Sequence, residues 1–144
     1  MASHVYDNTT LKLSDGTVTW GSSTIKVALV NTSYVFSTSH TSMSDITHEL
    51  SGTGYSRKTL SGKTTTLDST NHRTILSASN VTWTAITAGG DTAAAAVVFE
   101  DPGTGDANCI LLGYIDLSPH TVLNGGDFTV AWDSTNGIMD LTAS

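Results

Sequence analysis

The chain is short of charge. Only 13% of its 144 residues are Asp, Glu, Lys or Arg, about half the usual share for a soluble protein. Six Lys and Arg stand against thirteen Asp and Glu, a formal net charge of −7. Nucleic acid and anionic lipid headgroups are bound by clustered cations, so this balance argues against DNA, RNA or a membrane surface as partner. A single cysteine, Cys109, excludes an intramolecular disulfide. It lies in the apolar run Cys109-Ile110-Leu111-Leu112 and reads as a small buried hydrophobe. The longest apolar run, residues 93–99, is far too short to cross a bilayer. The first ten residues, MASHVYDNTT, hold no basic stretch followed by an apolar one, so no secretory signal is expected and synthesis in a cytoplasm is the default. No fixed-period repeat, linker or low-complexity tail divides the chain, and residues 1–144 read as one domain large enough for a core.

What is abundant is serine and threonine. Threonine favours strands, and both residues keep a surface soluble without charge. Residues 24–30 (TIKVALV) place Ile25, Val27 and Leu29 on one face and Ala28 and Val30 on the other, the pattern of a strand interior to a sheet. Three short strands follow at residues 55–60, 63–67 and 72–77, separated by Ser61-Gly62 and Ser69-Thr70-Asn71. Val81-Thr82-Trp83 is one more extended piece. Residues 92–99 carry four alanines that suit a helix, yet Val97-Val98-Phe99 and the turn signal Asp101-Pro102-Gly103 favour a central strand. Residues 109–117 make a second strand that is apolar on both faces, ended by Pro119 and Gly125-Gly126.

In residues 127–132, Phe128, Val130 and Trp132 alternate with Asp127, Thr129 and Ala131, giving one buried and one wet face. Asn136-Gly137 then predicts a reversal that makes the C-terminal stretch a hairpin. Two short helices are expected. One falls within residues 6–16, capped by Asp7 or Asn8 and ended by Gly16, although a polar strand fits the same residues; residues 1–23 form an arm or helix leading into the body. The other spans residues 44–50, with Ser44 as N-cap and Gly52 beyond its end. About eight short strands and one or two helices predict an all-β, single-domain sandwich or barrel.

Few residues gather into catalytic patterns. Ser, His and Asp are all present, but no Gly-x-Ser-x-Gly elbow exists, and His4, His40, His48, His72 and His120 are scattered beside turns. No two histidines have helical ligand spacing and there is no second cysteine, which disfavours zinc. The loop from Asp101 to Asp106 has two carboxylates in a glycine-rich setting that would suit calcium; a tight hairpin loop uses the same residues and is the better reading. Gly52-Thr53-Gly54 and Gly103-Thr104-Gly105 are not followed by the Gly-Lys-Ser/Thr of a phosphate loop. The sequons at Asn8, Asn31 and Asn80 are what chance gives in so hydroxyl-rich a chain. Trp83 and Trp132 read as core, leaving Trp20, before Gly21-Ser22-Ser23, as the indole to expect at the surface and the candidate for stacking on sugar. Lys26, Arg57, Lys58, Lys63 and Arg73 fall on or beside strands, which suits edge protection or interface pairing as well as any ligand. No catalytic, cofactor-binding or metal residue is assigned, and no cofactor is expected.

The order of these patches resembles a family of small tailed-bacteriophage virion proteins, the capsid decoration or cement proteins and related structural components. It is carried by residues 24–30, Ser51-Gly-Thr-Gly-Tyr55, Leu60-Ser-Gly-Lys63, Val81-Thr-Trp83, residues 96–101, Leu112-Gly-Tyr-Ile-Asp116, Phe128-Thr-Val-x-Trp132, Gly137-Ile138 and Leu141-Thr142. It spans about residues 6–142. The resemblance implies a non-enzymatic protein on the capsid surface of a virion, with the major capsid protein as partner, and favours helices near residues 6–14 and 44–50. It supplies no catalytic or metal residues. A homotrimer is the assembly expected, since avidity across several coat subunits would strengthen modest contacts. The alternative is a tail or fibre component that binds a receptor or glycan.

Overall fold

The computed structural model describes residues 3–143. Among them are ten strands in three antiparallel sheets and one α-helix, an all-β domain. The strands are β1 (Ser3–Val5), β2 (Ile25–Val30), β3 (Lys58–Thr59), β4 (Thr64–Asp68), β5 (Arg73–Ser77), β6 (Val81–Trp83), β7 (Thr92–Glu100), β8 (Ile110–Val122), β9 (Phe128–Val130) and β10 (Met139–Thr142); α1 is Asp7–Ser14. The large sheet has the order β1-β8-β7-β2-β3, and two small sheets have the orders β10-β5-β4 and β6-β9.

The main core lies between the large sheet and the two small ones. Ile25, Val27 and Leu29 of β2, Val98 of β7 and Ile115 of β8 meet Leu76 of β5, Met139 of β10, Trp83 of β6 and Val130 of β9. The other face of the large sheet is covered as well. Ala28, Val30, Ala95, Val97, Phe99 and Leu111 pack there under Tyr6, Tyr34 and Met43. Two covered faces are why β2, β7 and β8 read as almost continuous apolar runs. They also explain why residues 92–99 are a strand despite four alanines: small side chains fit under both layers, and β7 pairs on both sides, with β2 and β8. Two irregularities interrupt the β7–β8 ladder, since Phe99 opposes Leu111 while Val98 opposes Gly113, and Ala95 opposes Asp116 while Ala93 opposes Thr121. The first leaves Leu112 as an extra residue whose side chain joins the main core.

Several expectations are corrected. The helix expected over residues 44–50 is only a 3-10 turn at Met43–Asp45, and the residue before it is Ser42, not Ser44. Beyond the turn the chain bends at His48, which has a positive φ, and then Leu50 N–H donates to Leu29 O while Glu49 bridges Val30, so backbone pairing with β2 outweighs local helical propensity. The N-terminal helix exists, but Tyr6 precedes it at the cap position without a side-chain cap, and Asp7 is already helical. Thr9 holds the helix down, donating from Oγ1 to Leu112 O at 2.8 Å. The strand expected at residues 55–60 shrinks to Lys58–Thr59. Pro119 does not end β8, which continues to Val122 with residues 117–120 bulging opposite Ala94. The C-terminal hairpin is absent. β9 pairs with β6, β10 pairs with β5, and the Asn136-Gly137 turn hands the chain from one small sheet to the other. Gly137, at φ +66°, turns there with Ile75 Cγ2 and Leu76 O each 2.7 Å from where a Cβ would stand.

Candidate functional site

The three indoles come first, because an exposed one would mark a sugar platform. All three are buried, and all three spend their N–H on a serine carbonyl. Trp20 Nε1 donates to Ser77 O at 3.0 Å, Trp83 Nε1 to Ser56 O at 2.7 Å, and Trp132 Nε1 to Ser79 O at 3.0 Å. Trp20 is only 4% exposed, which overturns the expectation that it faces solvent. Its donor bond reaches the end of β5, so the ring serves to fasten residues 17–23 onto the small sheet.

The basic side chains hold loops. Arg57 clamps two carboxylates at once: Nε and Nη2 donate to Glu49 at 2.8 Å each, and Nη1 and Nη2 donate to Asp106 at 2.7 and 3.1 Å. Tyr55 O–H also donates to Glu49, at 2.6 Å, and burial is the main reason its phenol titrates far above the ordinary range. The guanidinium lies over the Phe99 ring, 5.4 Å from its centre. Lys26 pairs with Asp101 at 2.7 Å, and Asp101 Oδ1 accepts from Gly103 N–H at 2.8 Å. The Asp101 and Asp106 carboxylates are therefore engaged by different cations on different elements, and the loop between them turns β7 into β8. Among the described residues no group of three His, Cys, Asp or Glu is placed to hold a metal ion. On the small sheet, Arg73 donates to Asp68 of β4, Asp140 of β10 and Asn136, tying both neighbouring strands and the Asn136-Gly137 turn to β5. Lys63 Nζ donates to Ser23 O. Cys109 is buried, and desolvation pushes its thiol up to about 11.

One Ser, one His and one Asp do meet. Asp116, Ser118 and His120 alternate along the bulged part of β8, so period two puts them together. Ser118 Oγ donates to Asp116 Oδ1 at 2.8 Å; His120 Nε2 lies 3.0 Å from that same oxygen and 3.2 Å from Ser118 Oγ. A nucleophilic triad places the imidazole between the other two groups, one ring nitrogen to each. Here a single ring nitrogen meets both partners and the hydroxyl proton points at the carboxylate. The arrangement fastens a bulge and leaves the serine unactivated. The other histidines stand apart. His4 stacks on Phe36 at 5.2 Å, His40 Nδ1 meets Tyr34 O–H at 2.9 Å, and His48 and His72 occupy positive-φ turns.

One uncovered surface surrounds β4. On its outer side runs a groove of about 470 Å³, walled by Thr64, Thr66, Ser77, Asn80 and Ser134 with the Trp132 ring at its side. It holds no Lys or Arg, and its one carboxylate, Asp133, accepts from Thr135 and Asn136 N–H within its own loop. Such a surface can hydrogen-bond a polypeptide or a polyol and has nothing to hold a phosphate. On its inner side the small sheet extends beyond the core. Leu67 opposes Thr74, which opposes Leu141, in the same facing set as the buried Leu76 and Met139; yet Leu67 is 74% exposed. Two shallow depressions adjoin this row, one beside Leu67 and Leu141, the other between Leu141 and Val5. Sequence reasoning placed the strand and missed its position. The available signal was the run Thr64-Thr65-Thr66, hydroxyl on both faces, which suits a strand covered on neither.

No protein-family model, curated protein sequence or solved structure matches the chain in comparisons with all three. No helix among the described residues is long and apolar enough to cross a membrane.

Proposed function

We propose that this protein is a non-enzymatic capsid decoration protein, made in the host cytoplasm, that binds the outer surface of a bacteriophage major capsid lattice and stabilises the head. The observation that carries the reading is the division of polar chemistry. Indole N–H groups and guanidinia are spent on holding loops and strands together, while the surface left open around β4 is mostly uncharged, with threonine and serine hydroxyls, Asn80 and the exposed Leu67. That is the chemistry of protein contact, and pinned loops keep such a surface pre-shaped, so little ordering entropy is lost on binding. The resemblance of the sequence patches to small phage virion proteins supports the same reading. The alternative, a tail or fibre component that binds a receptor or glycan, rests on the hydroxyl groove beside Trp132; it is weakened by the burial of Trp20 and Trp132.

The test is binding of the purified protein to undecorated heads at rising salt. A chain of net charge −7 docking on a less acidic coat should bind more weakly as screening increases. Failure to bind heads at any ionic strength, together with quenching of tryptophan fluorescence by a sugar, would replace this reading with the tail or fibre one.

A further inference from the structure

We infer that β4 is a self-association edge, at which a second copy of this chain adds its own β4 antiparallel and joins two small sheets into one six-stranded sheet. The inference stands on the edge itself and does not depend on the capsid reading.

The other sheet margins among the described residues are guarded in ways that natural sheets use. β3 is two residues long and carries Lys58, β1 has three residues, and β10 has four and lies beside Val5 of β1 and Thr10 and Ser14 of α1. β6 and β9 are three residues each. β4 is five residues long, pairs with β5 without a register shift, and contains no Lys or Pro. Residues 64–67 are all exposed. Along its free side, alternate residues present unpaired backbone N–H and C=O groups, and the surface complementary to those is another strand.

The sequence of β4 specifies a copy of itself. A two-fold axis perpendicular to the sheet keeps inner residues inner, so facing residues must have an even sum of positions. Centring the axis on Thr66 sets Thr66 opposite Thr66, Thr65 opposite Leu67 and Thr64 opposite Asp68. No like charges then face each other, and threonine–threonine pairs are favourable cross-strand neighbours. The two Leu67 side chains become diagonal neighbours on the inner face, within reach of one another, and cover the most exposed leucine of the described residues.

The test is sedimentation of the full chain with three single variants, Thr66→Lys, Thr66→Cys and Thr64→Cys. The wild type is expected at twice 15.0 kDa at high micromolar concentration. Because each copy carries −7, the dimer should strengthen with salt, the opposite sign from docking on a coat. Thr66→Lys, which places two ammonium groups face to face, should lose the dimer while keeping the far-ultraviolet circular dichroism of the wild type. Under diamide, Thr66→Cys should form a disulfide dimer, and Thr64→Cys should not, because four residues separate the two copies of position 64, about 14 Å along the strand. Native Cys109 is buried and contributes no background. A wild type that stays monomeric, a trimer unaffected by Thr66→Lys, or equal cross-linking at positions 64 and 66 would each overturn the proposal.

Discussion

Gly54 and Gly103 separate backbone conformation from backbone proximity. Each opens or closes a Gly-Thr-Gly tripeptide, and their φ angles nearly coincide, +81° and +84°. An alanine at either position meets the same left-handed penalty, of order 1–2 kcal/mol, partly offset by the lower entropy of the unfolded alanine chain. Their surroundings differ. Nothing lies within 4 Å of a Cβ built on Gly103, whereas at Gly54 the Cβ would stand 2.6 Å from Ile86 Cα and 2.8 Å from Ala85 O. Those are backbone atoms, held by Ile86 N–H to Gly126 O and by Thr87 N–H to Thr53 O, so they cannot swing aside like a side-chain tip. Forcing them apart adds about 1–3 kcal/mol. Gly103→Ala is therefore expected to lose about 1 kcal/mol and Gly54→Ala about 2–4 kcal/mol. At roughly 3 °C per kcal/mol for a chain of this size, Tm should fall by about 3 °C and by about 6–12 °C respectively. Urea denaturation with both variants at one protein concentration reads the difference. Equal losses would refute the claim that residues 52–54 are locked against the 85–88 turn.

Other expectations follow from the ion pairs and the buried thiol. Asp68 is held at about 2, first by Asn71 and then by Arg73; Asp101 is lowered by Lys26, Asp106 by Arg57 and Asp45 by the N–H of Thr41. Carboxyls depressed in the folded state stabilise it above their unfolded value near 3.9 and lose that contribution as pH falls through the folded value. Their contribution to stability should thus be flat from pH 7 to 5 and fall between about pH 4 and 2; urea midpoints that do not move over that lower range would contradict the pairing. Arg57→Ala removes the cation from both carboxylates, leaving Glu49 only the Tyr55 O–H, and should cost about 1–3 kcal/mol, with most of the loss persisting in 1 M NaCl because the Glu49 pair is three-quarters shielded; a loss abolished by salt would show a surface pair instead. Cys109 should resist a disulfide reagent in the native state and react only on unfolding, so rapid native labelling would contradict its burial.

The strands were the legible part of this sequence, because period two and turn residues act locally. Residues 24–30 and 92–99 read as interior strands from apolar side chains on both faces, and both are covered on both sides. Pairing was not legible. Phe128, Val130 and Trp132 alternate as read, but nothing near them says that β9 joins β6 or that β10 crosses to β5, since those contacts lie far apart in sequence. The helix read at residues 44–50 failed for the same reason: a cap and a stop are local, whereas the β2 edge that captures residues 49–50 is not. At the surface, Trp20 looked free beside three small residues, yet its indole has a carbonyl partner 57 positions away. Asp116, Ser118 and His120 stood at period two in plain view, and only their shared oxygen shows that they brace a bulge. The edge position of β4 was carried by no single residue.

The measurement that bears most directly on the proposed role is copy number per particle, by quantitative mass spectrometry of purified virions against the major coat protein. A decoration protein is expected at a count comparable with the coat protein. A handful of copies per particle would contradict the account and move the chain to the tail or a single vertex.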